Sequence, residues 1–147
     1  MAGLESIGER LLVVYDGHCG LCNAWIQWLL LRDRNDRLRF APFGLPELAP
    51  ILAENPSAFD HSGTPGTILV FQGPLFPGVR PRMRSAAALA TLRELPAPWP
   101  LIARLLCWIP VFLRDPIYRL IARWRYRIWG RVAACPLPTP QQRERFL

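Results

Sequence analysis

An unbroken apolar run, Leu11-Leu12-Val13-Val14-Tyr15, is halted by Asp16-Gly17 and followed at once by Cys19-Gly20-Leu21-Cys22. No other feature constrains the fold of this chain as strongly. A short continuous apolar stretch bounded by a turn signal reads as a strand buried on both faces. The residues after the cysteines have helical character. Trp25, Ile26, Trp28, Leu29, Leu30 and Leu31 leave little polar surface, so a helix from near Cys19 to about Arg32 should be largely covered. Arg32-Asp33-Arg34-Asn35-Asp36 ends it, and Arg37-Leu38-Arg39-Phe40 alternates like a half-buried second strand. This is a βαβ unit with a thiol pair at its first βα turn. Its crossover should be right-handed and its strands parallel. Two thiols where a strand hands over to a helix suit reversible disulfide chemistry.

Further along, Pro46 to Asn55 is a modest helix candidate and 56–63 reads as loop. Thr67 to Phe71 is a strand by its β-branched and aromatic content. Gln72-Gly73-Pro74 turns the chain, and Leu75 to Val79 suits an antiparallel edge strand, since Pro77 excludes a central one. Ser85 fits the N-cap of a helix from Ala86 to Leu95. The order β-α-β-(α)-β-β-α gives an α/β, thioredoxin-like β-α-β / β-β-α core over residues 1–95. Pro96 to Pro100 is a rigid connector. Residues 96–147 then form a helical, Arg-rich C-terminal extension, expected to pack on the core as one structural unit. Its helices fall at Leu101–Ile109 and about Asp115–Arg131. In the second, Ile117, Leu120/Ile121, Trp124 and Ile128 make an apolar stripe beside a row of Arg119, Arg123 and Arg127. The tail from Cys135 is Pro-rich and reads as extended.

The apolar content, 51%, with six Trp suffices for a core. All 18 basic residues are Arg. Residues 1–79 carry 5 Arg and 8 acids, and residues 80–147 carry 13 Arg and 3 acids, so a net −3 precedes a net +10. Such a second half either presents a solvated Arg face or meets an anionic partner such as phospholipid. The opening MAGLESIGER lacks the apolar segment of a secretory signal. Leu101 to Leu113, broken by Arg104 and Pro110, falls short of the roughly 18 apolar residues of a span. The expectation is a cytoplasmic protein, with peripheral membrane contact left open. In a reducing compartment the Cys pair reads as catalytic or metal-binding rather than as a permanent crosslink.

Tyr15-Asp16-Gly17-His18-Cys19-Gly20-Leu21-Cys22 resembles the signature of the DCC family of thiol-disulfide oxidoreductases. The similarity continues through Arg37–Phe43, the strand near Phe71, Arg84-Ser85-Ala86, and Tyr118…Arg127…Gly130-Arg131, ending near Cys135. The resemblance implies a thioredoxin-like fold and a reaction class, without a substrate.

Cys19 at a helix N-terminus would face unpaired N–H groups and the positive end of the dipole. That placement is worth about 1–2 kcal/mol, enough to move a thiol from about 8.5 to near 7. Cys22, a turn further in, is expected to be the more buried, with a higher pKa, and to resolve a mixed disulfide. The expected partners are protein or small-molecule disulfides and an external reductant. No cofactor is expected beyond the Cys pair, since no nicotinamide or flavin fingerprint occurs. Gly20-Leu21 brings no charge, which argues for a reducing couple.

Asp16 either accepts the Cys22 proton or organises the turn. His18 either favours the thiolate when protonated or is simply exposed. Pro65, in Thr64-Pro65-Gly66-Thr67, matches the position of the cis-proline that faces the disulfide in thioredoxin-like proteins; an ordinary turn is the alternative. The candidate catalytic residues are therefore Cys19, Cys22 and Asp16, and the candidate substrate contacts are His18, Gly20, Leu21 and Pro65. Cys107 should pack as a small hydrophobe. Cys135 is either a third redox thiol or an ordinary free Cys.

Two rival readings remain. A structural zinc site would need two ligands beyond Cys19 and Cys22, and His18, His61, Cys107 and Cys135 are scattered, so no metal is expected. A binding module with an idle dithiol would dock its basic helix, with Trp124 and Trp129, on anionic membrane. Nucleic acid is disfavoured, because no base-reading motif accompanies the charge.

Overall fold

The computed structural model describes residues 7–75, 78–131 and 139–147. Strand β1, Leu11–Tyr15, is buried along its whole length, as an unbroken apolar run requires. Helix α1, Gly20–Arg32, follows it and leads to β2, Leu38–Pro42. β1 and β2 pair in parallel, with Val13 opposite Phe40. Next come α2, Ala49–Ala53, flanked by short 3₁₀ turns, then β3, Leu69–Gln72, and β4, Arg82–Met83. Both β1–β3 and β3–β4 are antiparallel, and the sheet order is β2-β1-β3-β4. Helix α3, Arg84–Glu94, closes the core. This is the thioredoxin-like arrangement expected from the element order.

The two-residue period of β1 divides the core. Leu11, Val13 and Tyr15 face α1 and α3, meeting Ile26, Leu29 and Ala90. Leu12 and Val14 face the other way, onto Ile51, Leu52 and Phe71.

Asp33 fixes the return from α1 into β2. It is buried, and its carboxylate accepts the Arg37 and Leu38 N–H groups, both at 3.0 Å, and Arg145 Nη1 at 3.1 Å. Asp33→Ala would strand those donors. It should destabilise the fold by about 2–3 kcal/mol, a fall in Tm of roughly 5–10 °C. Thermal unfolding followed by circular dichroism measures this.

Several expectations need correction. The hairpin strand lies at Arg82–Met83 rather than Leu75–Val79 (of which Phe76 and Pro77 lie outside the described residues). Prolines at 74, 77 and 81 remove ladder donors, and the pairing with β3 among the described residues falls beyond them, at Arg82 and Met83. Leu75 and Val79 instead pack against the second core cluster. β3 begins at Leu69, two residues late. Ile68 N–H is taken at 3.2 Å by the Tyr118 hydroxyl, and Thr67 Oγ1 accepts Arg84 N–H at 2.8 Å. Ser85 does not cap α3; its hydroxyl donates to Asp115 Oδ1.

Beyond the core, α4 spans Trp99–Cys107 and α5 spans Val111–Ile128. α5 starts four residues earlier than Asp115, because Pro110 begins the turn and its carbonyl accepts Leu113 and Arg114 N–H. Trp99 packs edge-on against Trp28, which itself stacks on Trp25, and so ties α4 to α1. Of the tail expected to be extended, residues 135–138 lie outside the described residues, and the part from 139 on is partly helical. Helix α6, Pro140–Arg143, carries a capping box at Thr139, and Phe146 bridges to Phe40 at the edge of β2.

Candidate active site

The turn after β1 is held by its own side chains. Asp16 Oδ1 accepts His18 N–H at 3.0 Å, and Asn23 Nδ2 donates to the Gly17 carbonyl at 2.9 Å. Cys19 then occupies the N-cap of α1 in an extended conformation, and its Sγ accepts Cys22 N–H at 3.3 Å. A sulfur sits where Ser or Asp would normally place an oxygen. Both cysteines are free thiols.

Hydrogen bonding from the Cys22 thiol, then from Cys22 N–H, and the charge of Arg125 lower the Cys19 pKa from 9.0 to about 6, against the opposing effect of burial. The same shared proton, with burial and the Cys19 charge, pushes Cys22 far up. One thiol of the pair is thus a thiolate near neutrality while the other keeps its proton.

Arg125 and Tyr126 reach this turn from α5. Both are absent from the sequence-derived site. Arg125 is buried, donates through Nη2 to the Pro65 carbonyl and the Tyr126 hydroxyl, and lies 3.9 Å from Asp16 Oδ2. The Tyr126 hydroxyl donates to Asp16 Oδ2, and burial followed by that carboxylate raises its pKa to about 12. Tyr118 lies further up the same helix face, on Thr67 and Ile68. The signal that could have exposed them is an i, i+4, i+7 row, Tyr118, Ala122 and Arg125, offset from the more visible apolar and Arg rows.

The end of α5 passes directly over Cys19. Gly20 N–H donates to the Gly130 carbonyl at 3.2 Å, and Cys19 bridges to Arg131. Gly130 turns the strap there at φ +72. As a result Cys19 has no exposed surface and Cys22 keeps 9%, so both thiols are covered. Gly20 is needed for this closeness: a Cβ there would sit 2.5 Å from the Trp129 carbonyl oxygen. Gly20→Ala should cost about 1–3 kcal/mol and speed the access of a thiol reagent to Cys19. Denaturant titration and alkylation rates test this, and no change in either would mean the strap is not seated there.

The remaining predicted contacts separate. Leu21 joins Cys22, Trp25, Ile68, Ile121 and Arg125 around a cavity of about 240 Å³, almost wholly apolar. Trp25 Nε1 and Arg125 Nε, both in residues of that wall, have no hydrogen-bond partner among the described residues. His18 is exposed on the turn. Pro65 meets the site through its carbonyl, and its peptide bond is trans, since Ala97–Pro98 is the only cis bond among the described residues. Cys107 does not pack inside. It is exposed on α4, with Arg93 Nη2 at 3.1 Å from its sulfur. Cys135 lies outside the described residues. Among the described residues no three of His, Cys, Asp and Glu gather to hold a metal ion. No helix among them is long and apolar enough to cross a membrane.

A family model described as DCC1-like thiol-disulfide oxidoreductase matches residues 13–131. The uncharacterized protein YuxK of Bacillus subtilis (strain 168) is 32% identical over 149 residues, covering 97% of this chain and 97% of the relative. A chloroplastic DCC family protein of Arabidopsis thaliana is 29% identical over 129 residues, covering 88% of this chain and 70% of the relative. No solved structure matches.

Proposed function

Since this chain belongs to the DCC1-like thiol-disulfide oxidoreductase family, we propose that it exchanges a Cys19–Cys22 dithiol with the disulfide of a protein or small molecule. The observation that carries this reading is the Cys19 sulfur at the cap of α1, with a pKa near 6 beside a neighbour that remains protonated.

The Cys19 thiolate attacks a substrate disulfide, forming a mixed disulfide and releasing one substrate thiolate. Cys22 then loses its proton, to Asp16 directly or through water, and attacks the Cys19 sulfur. The second substrate thiolate leaves, taking the electron pair of the mixed disulfide, and Cys19–Cys22 is oxidised. Two electrons have moved to the substrate, and a thiol reductant must return them. Arg125 and Tyr126 fix the position of the Asp16 carboxylate at the turn.

The low pKa does little for the rate of attack. At pH 7 the thiolate fraction rises from about 3% for an ordinary thiol to about 90%, but intrinsic nucleophilicity falls about ten- to twentyfold. The net gain is only about two- to threefold. The larger effect is on the redox balance. A stabilised thiolate favours the reduced form, and so makes the couple more oxidising than Gly20 and Leu21 alone would. Arg125 supplies the charge that those two residues lack.

Substrate reaches Cys19 when the Trp129–Arg131 strap parts from Gly20, and the cavity beside Cys22 receives an apolar group next to the scissile disulfide. Turnover of a soluble model disulfide with dithiothreitol tests the reading. Catalysis should exceed the uncatalysed rate; a rate equal to that background would overturn it.

A further inference from the structure

We propose that the outer face of α4 and α5 is a docking surface for an anionic lipid membrane. At about 100° per residue, α5 divides into three sectors. Tyr118, Ala122 and Arg125 point toward the thiol site, where each lines the cavity. Leu113, Ile117, Leu120, Trp124 and Ile128 form a second sector, and all are exposed. Arg119, Arg123 and Arg127 make the third, beside the apolar one, and are exposed as well. The apolar stripe that the sequence could equally have used for packing on the domain thus faces outward, and a partly polar sector packs inward.

Apolar exposure extends from the start of α5 across the junction into α4. Trp108 is 87% exposed and Phe112 74%, with Leu101 and Leu105 beyond them on α4. An exposed apolar surface of this extent marks an interaction site.

Charge selects the occupant. Residues 99–131 contain seven Arg and a single acid, Asp115, which is already engaged by Ser85. Arg104, Arg119, Arg123 and Arg127 form no ion pair among the described residues. A second copy on this face would set two such basic rows against each other, whereas phospholipid headgroups neutralise them. An apolar sector that carries an exposed Trp124 and is bordered by a row of arginines has the build of a helix lying in the plane of a membrane interface. Ile121 belongs both to this face and to the wall of the cavity beside Cys22. A docked protein would therefore bring that cavity close to the lipid surface. The docking is independent of the thiol chemistry.

Flotation of the full chain with vesicles tests it, using phosphatidylcholine alone and equal parts of phosphatidylcholine and phosphatidylglycerol. Binding should require the anionic lipid and be lost at high salt. Trp108→Ser with Phe112→Ser should weaken it by about tenfold or more, and each of Arg119→Gln, Arg123→Gln and Arg127→Gln by up to about fivefold. All these variants should keep the wild-type circular dichroism and turn over a soluble disulfide normally. Absence of binding, or equal binding to neutral vesicles, would overturn the proposal. So would a stable dimer in sedimentation that the Trp108 and Phe112 substitutions dissociate, because it would assign the face to a second copy.

Discussion

Replacing Cys19 with serine should abolish disulfide reduction, while replacing Cys22 with serine should leave a protein that reacts once and stops. The two outcomes follow from the asymmetry of the pair. Only Cys19 has its sulfur at the helix cap and a pKa near 6. A hydroxyl in its place has no accessible anion near neutrality, so turnover falls to background. In Cys22→Ser the replacement hydroxyl can still donate to the Cys19 sulfur, so the attacking thiolate survives. The resolving thiol is gone, and the mixed disulfide accumulates. Mass spectrometry after a single addition of substrate should show one substrate moiety on Cys19 of this variant and none on Cys19→Ser. Equal turnover in wild type and both variants would defeat the mechanism.

Arg125→Met should be the most damaging change outside the thiols. Arg125 and Asp16 are both buried and 3.9 Å apart, so removing the guanidinium leaves a carboxylate without its cation and the Pro65 carbonyl without its donor. Breaking such a pair costs about 3–5 kcal/mol. The chemical effect has a definite sign. Loss of a nearby cation disfavours the thiolate, so the Cys19 midpoint rises by up to about one unit. At pH 7 the reduced form is then less stabilised, and the couple becomes more negative by up to about 20 mV. Arg125→Lys should recover much of both effects, since it restores the charge. Asp16→Asn combined with Arg125→Met should recover part of the stability by removing the stranded charge. Redox equilibration against glutathione measures the potential, and denaturant unfolding measures the stability. A purely structural role for Arg125 would change the second and leave the first where it was.

The first half of the fold is legible in the sequence because its signals are local. β1 is a run of five apolar residues, α1 opens at Cys19, and β2 follows a short charged turn, so periodicity and punctuation suffice. The hairpin is less legible. Its register depends on where prolines permit pairing with β3, which pattern alone places too early. The site is legible only on its own turn. Cys19, Cys22 and Asp16 stand within seven residues of one another, and their chemistry follows from the strand-to-helix junction. The strap and the cation come from more than a hundred residues away, and nothing in the local pattern of either segment announces the other. The apolar stripe of α5 also draws attention away from them. By hydrophobicity it should turn inward, yet Tyr118, Arg125 and Tyr126 occupy the inner side, held by hydrogen bonds to β3, Pro65 and Asp16. Polar contacts at the thiols decide the orientation of this helix, and its hydrophobicity is left for another surface.

The most direct test is a pH titration of Cys19 in the reduced protein, read by ultraviolet thiolate absorbance and by the rate of alkylation at that residue. Because the pKa is lowered, the thiolate should appear as pH rises through about 6, and the alkylation rate should level off by neutrality while Cys22 stays protonated. A midpoint near the ordinary value of about 8.5, or two thiols titrating together, would contradict the account.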